Sequence, residues 1–174
     1  MSHVVISAPD PSEYAPYFGR YISLVRKNDI VVSLTQQLDT TLSYLRSIPN
    51  SKEDFRYAPD KWTVKQVVAH IIDTERVFAY RALSFARSDA ASLPGFEQDD
   101  WMKASVFEEI HLSELVDEFE HVRRSNVFFF THLAQGAWLR RGIASGNPFT
   151  VRSIAYIIAG HELHHLEILK TRYR

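Results

Sequence analysis

Hydrophobic side chains recur along this chain at intervals of three and four, the spacing of one helical face. Between about Asp29 and Ser47 the series is Ile30, Leu34, Leu38, Leu42 and Leu45, with Asp29 placed to cap the start and Pro49 with Asn50 to end the helix. A second helix opens at Thr63, where Thr63 and Gln66 have the spacing of a capping box and Trp62 with Val67 that of a hydrophobic staple. Val64, Val68, Ile71, Phe78, Ala82 and Phe85 carry it to about Arg87. Pro94 and Gly95 mark a long crossing loop, with a short helix around Gln98 to Lys103. A third long helix is expected from about Ser113 to Leu133, turning Leu115, Phe119, Val122 and Phe130 inward. The fourth follows Asn147-Pro148, with Thr150 as N-cap and Phe149 and Ile154 as a second staple, and runs to about Thr171. Ser7 to Lys27, rich in Pro and Tyr, reads as the body of an N-terminal arm (residues 1–28) lying on the other helices. No useful length alternates with period two, so almost no sheet is expected. The pattern predicts an all-α four-helix bundle in one domain.

Composition narrows the chemistry. The chain has 174 residues, 45% of them hydrophobic and 24% charged, which suits one globular domain that folds without staples. It has no cysteine, so a disulfide framework, a thiolate metal site and a protein thiol nucleophile are excluded. That fits a reducing compartment, and a cytoplasmic location is expected. The first residues show no secretory pattern, and no apolar run is long enough to span a bilayer. With a formal net charge of -1 and no Lys/Arg cluster, neither nucleic acid nor a membrane is an expected partner. Arg140, Arg141 and Arg152 lie near one another in sequence; they read as solvated loop charges, or more sharply as a grip for a small anion.

The histidines carry the strongest chemical signal. On the fourth helix the inner stripe runs Ile154, Ile158, His161, His165, Ile168, so two histidines continue an apolar register. Residues four apart on a helix differ by roughly 40° and stand about 6 Å apart along the axis, so two imidazoles can converge on one ion. Neutral imidazole ligates zinc, nickel, iron and copper. On the second helix His70 flanks the apolar stripe and offers a third ligand from a facing helix. Three protein ligands and an open position is the pattern of a catalytic metal. The competing reading is a hydrogen-bonded core or boundary histidine, which is the commoner fate of a lone residue such as His70. His164 lies about 100° from His165 and is placed beside the ligands or at the surface. His3, His111, His121 and His132 have no partner at a ligand spacing. His161-Glu162-Leu163-His164-His165 also matches the helical H-E-x-x-H of zinc proteases. Only nine residues follow His165, and the sheet of such proteases is not expected. Glu162 then reads as a solvated helix residue or as a base near a metal.

Lys61-Trp62-Thr63-Val64-Lys65-Gln66-Val67-Val68-Ala69-His70, followed by Asp73-Thr74-Glu75, resembles the second-helix signature of the DinB-like superfamily. Gly160-His161-Glu162-Leu163-His164-His165 resembles its last-helix signature. Tyr80-Arg81-Ala82-Leu83, Pro94-Gly95-Phe96 and Arg141-Gly142 through Asn147-Pro148 look like the YfiT-type branch. The resemblance implies a four-helix bundle, often a homodimer, with a divalent metal, zinc or nickel foremost, on His70, His161 and His165. It also implies transfer or isomerisation reactions of low-molecular-weight thiols such as bacillithiol, mycothiol or glutathione, or metal-dependent hydrolysis.

Three functions follow in order. The first is a metal-dependent S-transferase, in which a small thiol and an electrophile are the partners and the missing cysteine arrives with the cosubstrate. The second is a metal-dependent hydrolase, with Glu162 or Asp73 as base. The third is a non-catalytic metal-binding protein with a closed fourth ligand, for which Gln66 and Glu167 are candidates. Trp101 and Tyr80 read as pocket walls or as core and boundary aromatics.

Overall fold

The computed structural model describes residues 5–26, 28–87 and 92–174. Residues 1–4 and 27 of the expected arm, His3 among them, and 88–91 of the crossing loop lie outside the described residues. Among the described residues the helices are α1 (Gly19–Ile22), α2 (Ile30–Arg46), α3 (Val64–Arg87), α4 (Gln98–Ala104), α5 (Leu112–Thr131) and α6 (Val151–Arg172).

The helix starts follow the sequence. The Asp29 carboxylate accepts from the N–H groups of Val31 and Val32 at 3.0 and 3.1 Å. The Thr63 hydroxyl accepts from the Gln66 N–H at 3.2 Å, and the Gln66 amide oxygen accepts from the Thr63 N–H at 2.9 Å. Thr150 and Ser153 form the reciprocal pair at the head of α6, at 3.1 and 3.0 Å.

Cross-helix contacts fix the directions. Tyr173 hydroxyl donates to Trp62 O and His70 meets His161, so α3 and α6 are antiparallel. Arg46 reaches Glu120 while Thr41 lies at the level of Arg123, so α2 and α5 are antiparallel too. Tyr156 hydroxyl donates to Asn28 O at one end and Lys170 lies over the Tyr44 ring at the other, which makes α2 and α6 parallel. Glu53 accepts from Leu112 N–H near the head of α3, and Glu75 meets Arg123 further on, so α3 and α5 are parallel as well. The four long helices run up, down, down, up. Two consecutive long helices that run the same way need a long return, which the segment bearing α4 provides.

A small sheet departs from the sheet-free expectation. β1 (Ser92–Leu93) pairs parallel with β2 (Arg141–Ala144), which forms a hairpin with β3 (Asn147–Thr150). Ser145 and Gly146 take φ of 51° and 72°, as a tight two-residue hairpin turn demands. Strands of two to four residues are too short to show a period in sequence. Arg81 ties this sheet to α3, donating to Pro94 O and Ser145 Oγ, each at 3.0 Å.

The arm lies on α6. Glu13 binds the Thr150 hydroxyl and the Arg152 guanidinium, and α1 packs along the middle of α6. A Cβ built at Gly160 would overlap the Tyr21 carbonyl, so glycine is what lets the arm approach beside His161. Gly160→Ala is expected to cost about 1–3 kcal/mol through overpacking against backbone. Urea unfolding measures this, and an unchanged midpoint would show that the arm carries no part of the stability.

Candidate metal centre

α3 and α6 bring three imidazoles together in the middle of the bundle. His70 and His161 are buried and His165 is half-buried. His161 Nε2 lies 3.1 Å from His70 Nε2 and 3.1 Å from His165 Nε2. Donor nitrogens at about 2.0–2.1 Å from a tetrahedral ion would stand about 3.3–3.4 Å apart, so the triad is close to the spacing an ion requires. Thr74 Oγ1 stands 3.5 Å from His70 Nδ1, where it can accept that ring's N–H and leave the Nε2 lone pair directed at the cluster.

The triad is held neutral. Burial lowers the His70 pKa to about 4, against a weaker pull from the Asp99 charge. Burial, with His70, His164 and Arg20 nearby, lowers that of His165 to about 3. Burial and its histidine neighbours hold His161 well below the usual value. Neutral imidazole is the ligating form. These groups bind protons more readily when unfolded than when folded, so their contribution is present above pH 6.5 and lost as pH falls through 6.5 toward 4 and 3. Burial raises the Glu162 and Asp73 pKa values, which works in the opposite sense, while a lowered His164 adds to the triad. The metal-free protein is therefore expected to unfold at progressively lower urea concentration from pH 7 to pH 4.5. A flat profile would contradict the buried neutral triad.

Aromatic rings surround the cluster. Trp62 packs on His70 with ring centres 4.8 Å apart, and Tyr21 lies edge-on to His161 at 5.3 Å and to His164 at 5.4 Å. His164 thus sits beside the three imidazoles. A cleft of about 280 Å3 opens at His165, walled by Tyr57, Trp62 and Tyr173 and carrying Lys61, Gln98 and Asp99. Tyr21 and Asp99 reach the site from segments without a long helical period, and only the fold reveals them.

Several sequence expectations are corrected here. Glu162 is neither a solvated residue nor near the open side of the triad. It is fully buried, accepts from Arg123 Nη1 at 2.6 Å and from the Thr41 hydroxyl, and points into the bundle. Asp73 is half-buried beside Arg76 and Glu118, and it does not line the cleft. Arg152 is bound to Glu13, Arg141 donates to Ser12 O at 3.1 Å and Arg140 to Ala86 O. These three arginines fasten the arm and the sheet end of the molecule. Arg152 is nine residues before His161, about 13 Å along α6. Gln66 caps α3, and Glu167 lies on the far side of α6. Tyr80 and Trp101 are 59% and 46% exposed, so neither is core, and Trp101 packs at a tilt against Phe96 outside the cleft.

The comparisons with known proteins address the fold and the family. The model of the DinB superfamily matches residues 33–169, which include all three histidines. The chain belongs to the DinB superfamily. Among solved structures, this superfamily member is similar to YfiT from Bacillus subtilis at 15% identity, over 93% of this chain and 91% of that one, with a TM-score of 0.68. YfiT is described as a probable metal-dependent hydrolase with an unusual four-helix bundle topology. The up-down-down-up order is that shared fold. Among curated protein sequences, none is a significant match. No helix among the described residues is long and apolar enough to cross a membrane.

Proposed function

We propose that this DinB-superfamily protein is a metal-dependent S-transferase that joins a low-molecular-weight thiol, such as bacillithiol, to an electrophile. His70, His161 and His165 hold the ion, zinc or nickel. The observation that carries this reading is three neutral imidazole Nε2 atoms converging beside a cleft that opens at His165. A divalent ion held by these three residues would supply a Lewis acid that lowers the pKa of a bound thiol or water.

The protein's own groups supply the rest. Among the described lining residues Lys61, beside Asp60, is the cation that suits a cosubstrate carboxylate. Trp62, Tyr57 and Tyr173 give aromatic faces against which an electrophile can pack. The Asp99 carboxylate lies in the same cleft, and its charge is felt at His70. It accepts the thiol proton as the sulfur forms its bond to the electrophilic carbon and the leaving group departs with its electron pair. Glu162, held by Arg123 and Thr41, takes no part.

A second reading, a metal-dependent hydrolase, uses the same Asp99 on water and is favoured by the description of YfiT. The deciding experiment gives metal-loaded protein bacillithiol, mycothiol, glutathione or coenzyme A with one generic electrophile, and in parallel an ester and amide panel. Thiol-dependent turnover is expected, abolished in His165→Ala and strongly slowed in Asp99→Asn. Turnover of the esters or amides without thiol would overturn the transferase reading in favour of hydrolysis.

A further inference from the structure

A second cleft, of about 360 Å3, lies between α2 and α6. Its α6 residues Leu163, Leu166, Glu167 and Lys170 centre about 170° around the helix from His161 and His165, so it is separate from the histidine cleft. Its α2 wall is polar, made of Ser33, Gln36, Gln37, Thr40 and Thr41. Gln37 Oε1 is buried there without a hydrogen-bond partner. The nearby hydroxyls already donate elsewhere: Ser33 to Asp29 O at 3.0 Å, Thr40 to Gln36 O at 3.2 Å and Thr41 to Glu162. Only their lone pairs face an incoming molecule.

A buried acceptor without a donor is costly unless something else fills the role. The charges decide what. Arg26 stands at the Ser33 end of the cleft, while Glu167 and Lys170 flank the other, with Lys170 Nζ over the Tyr44 ring. The lining is net positive, which disfavours a simple cation. The unpartnered Gln37 Oε1 disfavours a simple anion. A molecule with an ammonium and a carboxylate satisfies both.

We propose that the cleft between α2 and α6 binds a small amino-carboxylate zwitterion of the amino-acid class, its ammonium donating to Gln37 Oε1 and its carboxylate held by Arg26. Leu163 and Leu166 give the floor for an apolar side chain. Thr41 is common to this cleft and to the Glu162 hydrogen bond, so occupancy bears on the residue next to His161.

The test is calorimetric titration of the full chain with free amino acids. Two matched controls are the corresponding amine without a carboxylate and the carboxylic acid without an amine. Binding of one or more amino acids is expected, at least about tenfold tighter than either control. Gln37→Leu and Arg26→Ala should each weaken it about tenfold or more, and His165→Ala should leave it unchanged. Gln37→Leu removes an unsatisfied polar atom, so it should unfold at an equal or higher temperature than the parent. Exposed Arg26 tests the site without a core change. No amino acid binding, an amine-only control as tight as the zwitterion, or binding abolished by His165→Ala but not by Gln37→Leu would each overturn the proposal.

Discussion

Replacing Arg123 with methionine is expected to destabilise the protein by about 3–5 kcal/mol, because it strands two carboxylates in the core. The side chain is 0% exposed and lies between α3 and α6. It binds Glu75 through Nε and Nη2, both at 2.8 Å, and Glu162 through Nη1 at 2.6 Å. Asn126 adds a bond to Glu75 at 3.1 Å, and Thr41 completes Glu162. All four long helices therefore meet in one polar layer, with an apolar cluster around Phe85 and Phe149 on one side and another around Leu42 and Leu169 on the other. Burial opposes the Arg123 charge, but Glu162 and Glu75 outweigh it and hold the guanidinium above its ordinary value. A loss of that size is a large share of a typical domain's stability. Chemical denaturation measures it. The triple variant Arg123→Met with Glu75→Leu and Glu162→Leu should recover much of the loss, since no buried charge is then unpaired. A cost below about 1 kcal/mol for the single change would show that the carboxylates are protonated or hydrated instead.

His161→Ala should abolish stoichiometric metal binding while the helical circular dichroism persists. His161 is the central nitrogen, 3.1 Å from each of the other two, so its loss leaves two donors on different helices with none between. Metal content by elemental analysis is the direct measurement. Removing a buried side chain also leaves a cavity, so a lower melting temperature alone would not identify a ligand. The discriminating signal is chelator sensitivity. The parent should melt at a lower temperature after chelation, because metal bound only by the folded state stabilises it by mass action. The variant should melt at the same temperature with and without chelator. Full metal retention in the variant would remove His161 from the site.

The helices were legible because their starts carry local chemistry: Asp29, the Thr63–Gln66 box and Thr150 all act where the sequence places them. The histidine stripe was legible for the same reason, since helical spacing alone aligns His161 with His165. Glu162 was misread because a motif describes residue order, whereas its direction about α6 depends on what faces it. The signal that would have found its partner lies in the apolar rows. Arg123 falls four residues after Phe119 and seven before Phe130, and Glu75 falls four after Ile71 and three before Phe78. A charge in an inward row on each of two helices calls for a counter-charge across the interface. The polar cleft between α2 and α6 has no such signal, because Ser33, Gln37 and Thr41 read as an ordinary polar face until α6 is laid beside them.

The up-down-down-up order also bears on how the protein is made. His70 meets its partner 91 residues later, and Thr41 meets Glu162 across 121. During synthesis the first three long helices emerge with His70 and Thr41 lacking their α6 partners. Glu75 and Arg123 can pair early, but the remaining contacts wait for α6. Contacts of such long sequence separation form late and slow folding. The α6 helix is therefore a closing piece, and a nascent chain still lacking it would expose the apolar faces that Ile154, Ile158, Leu166 and Leu169 cover, which chaperones or proteases can recognise.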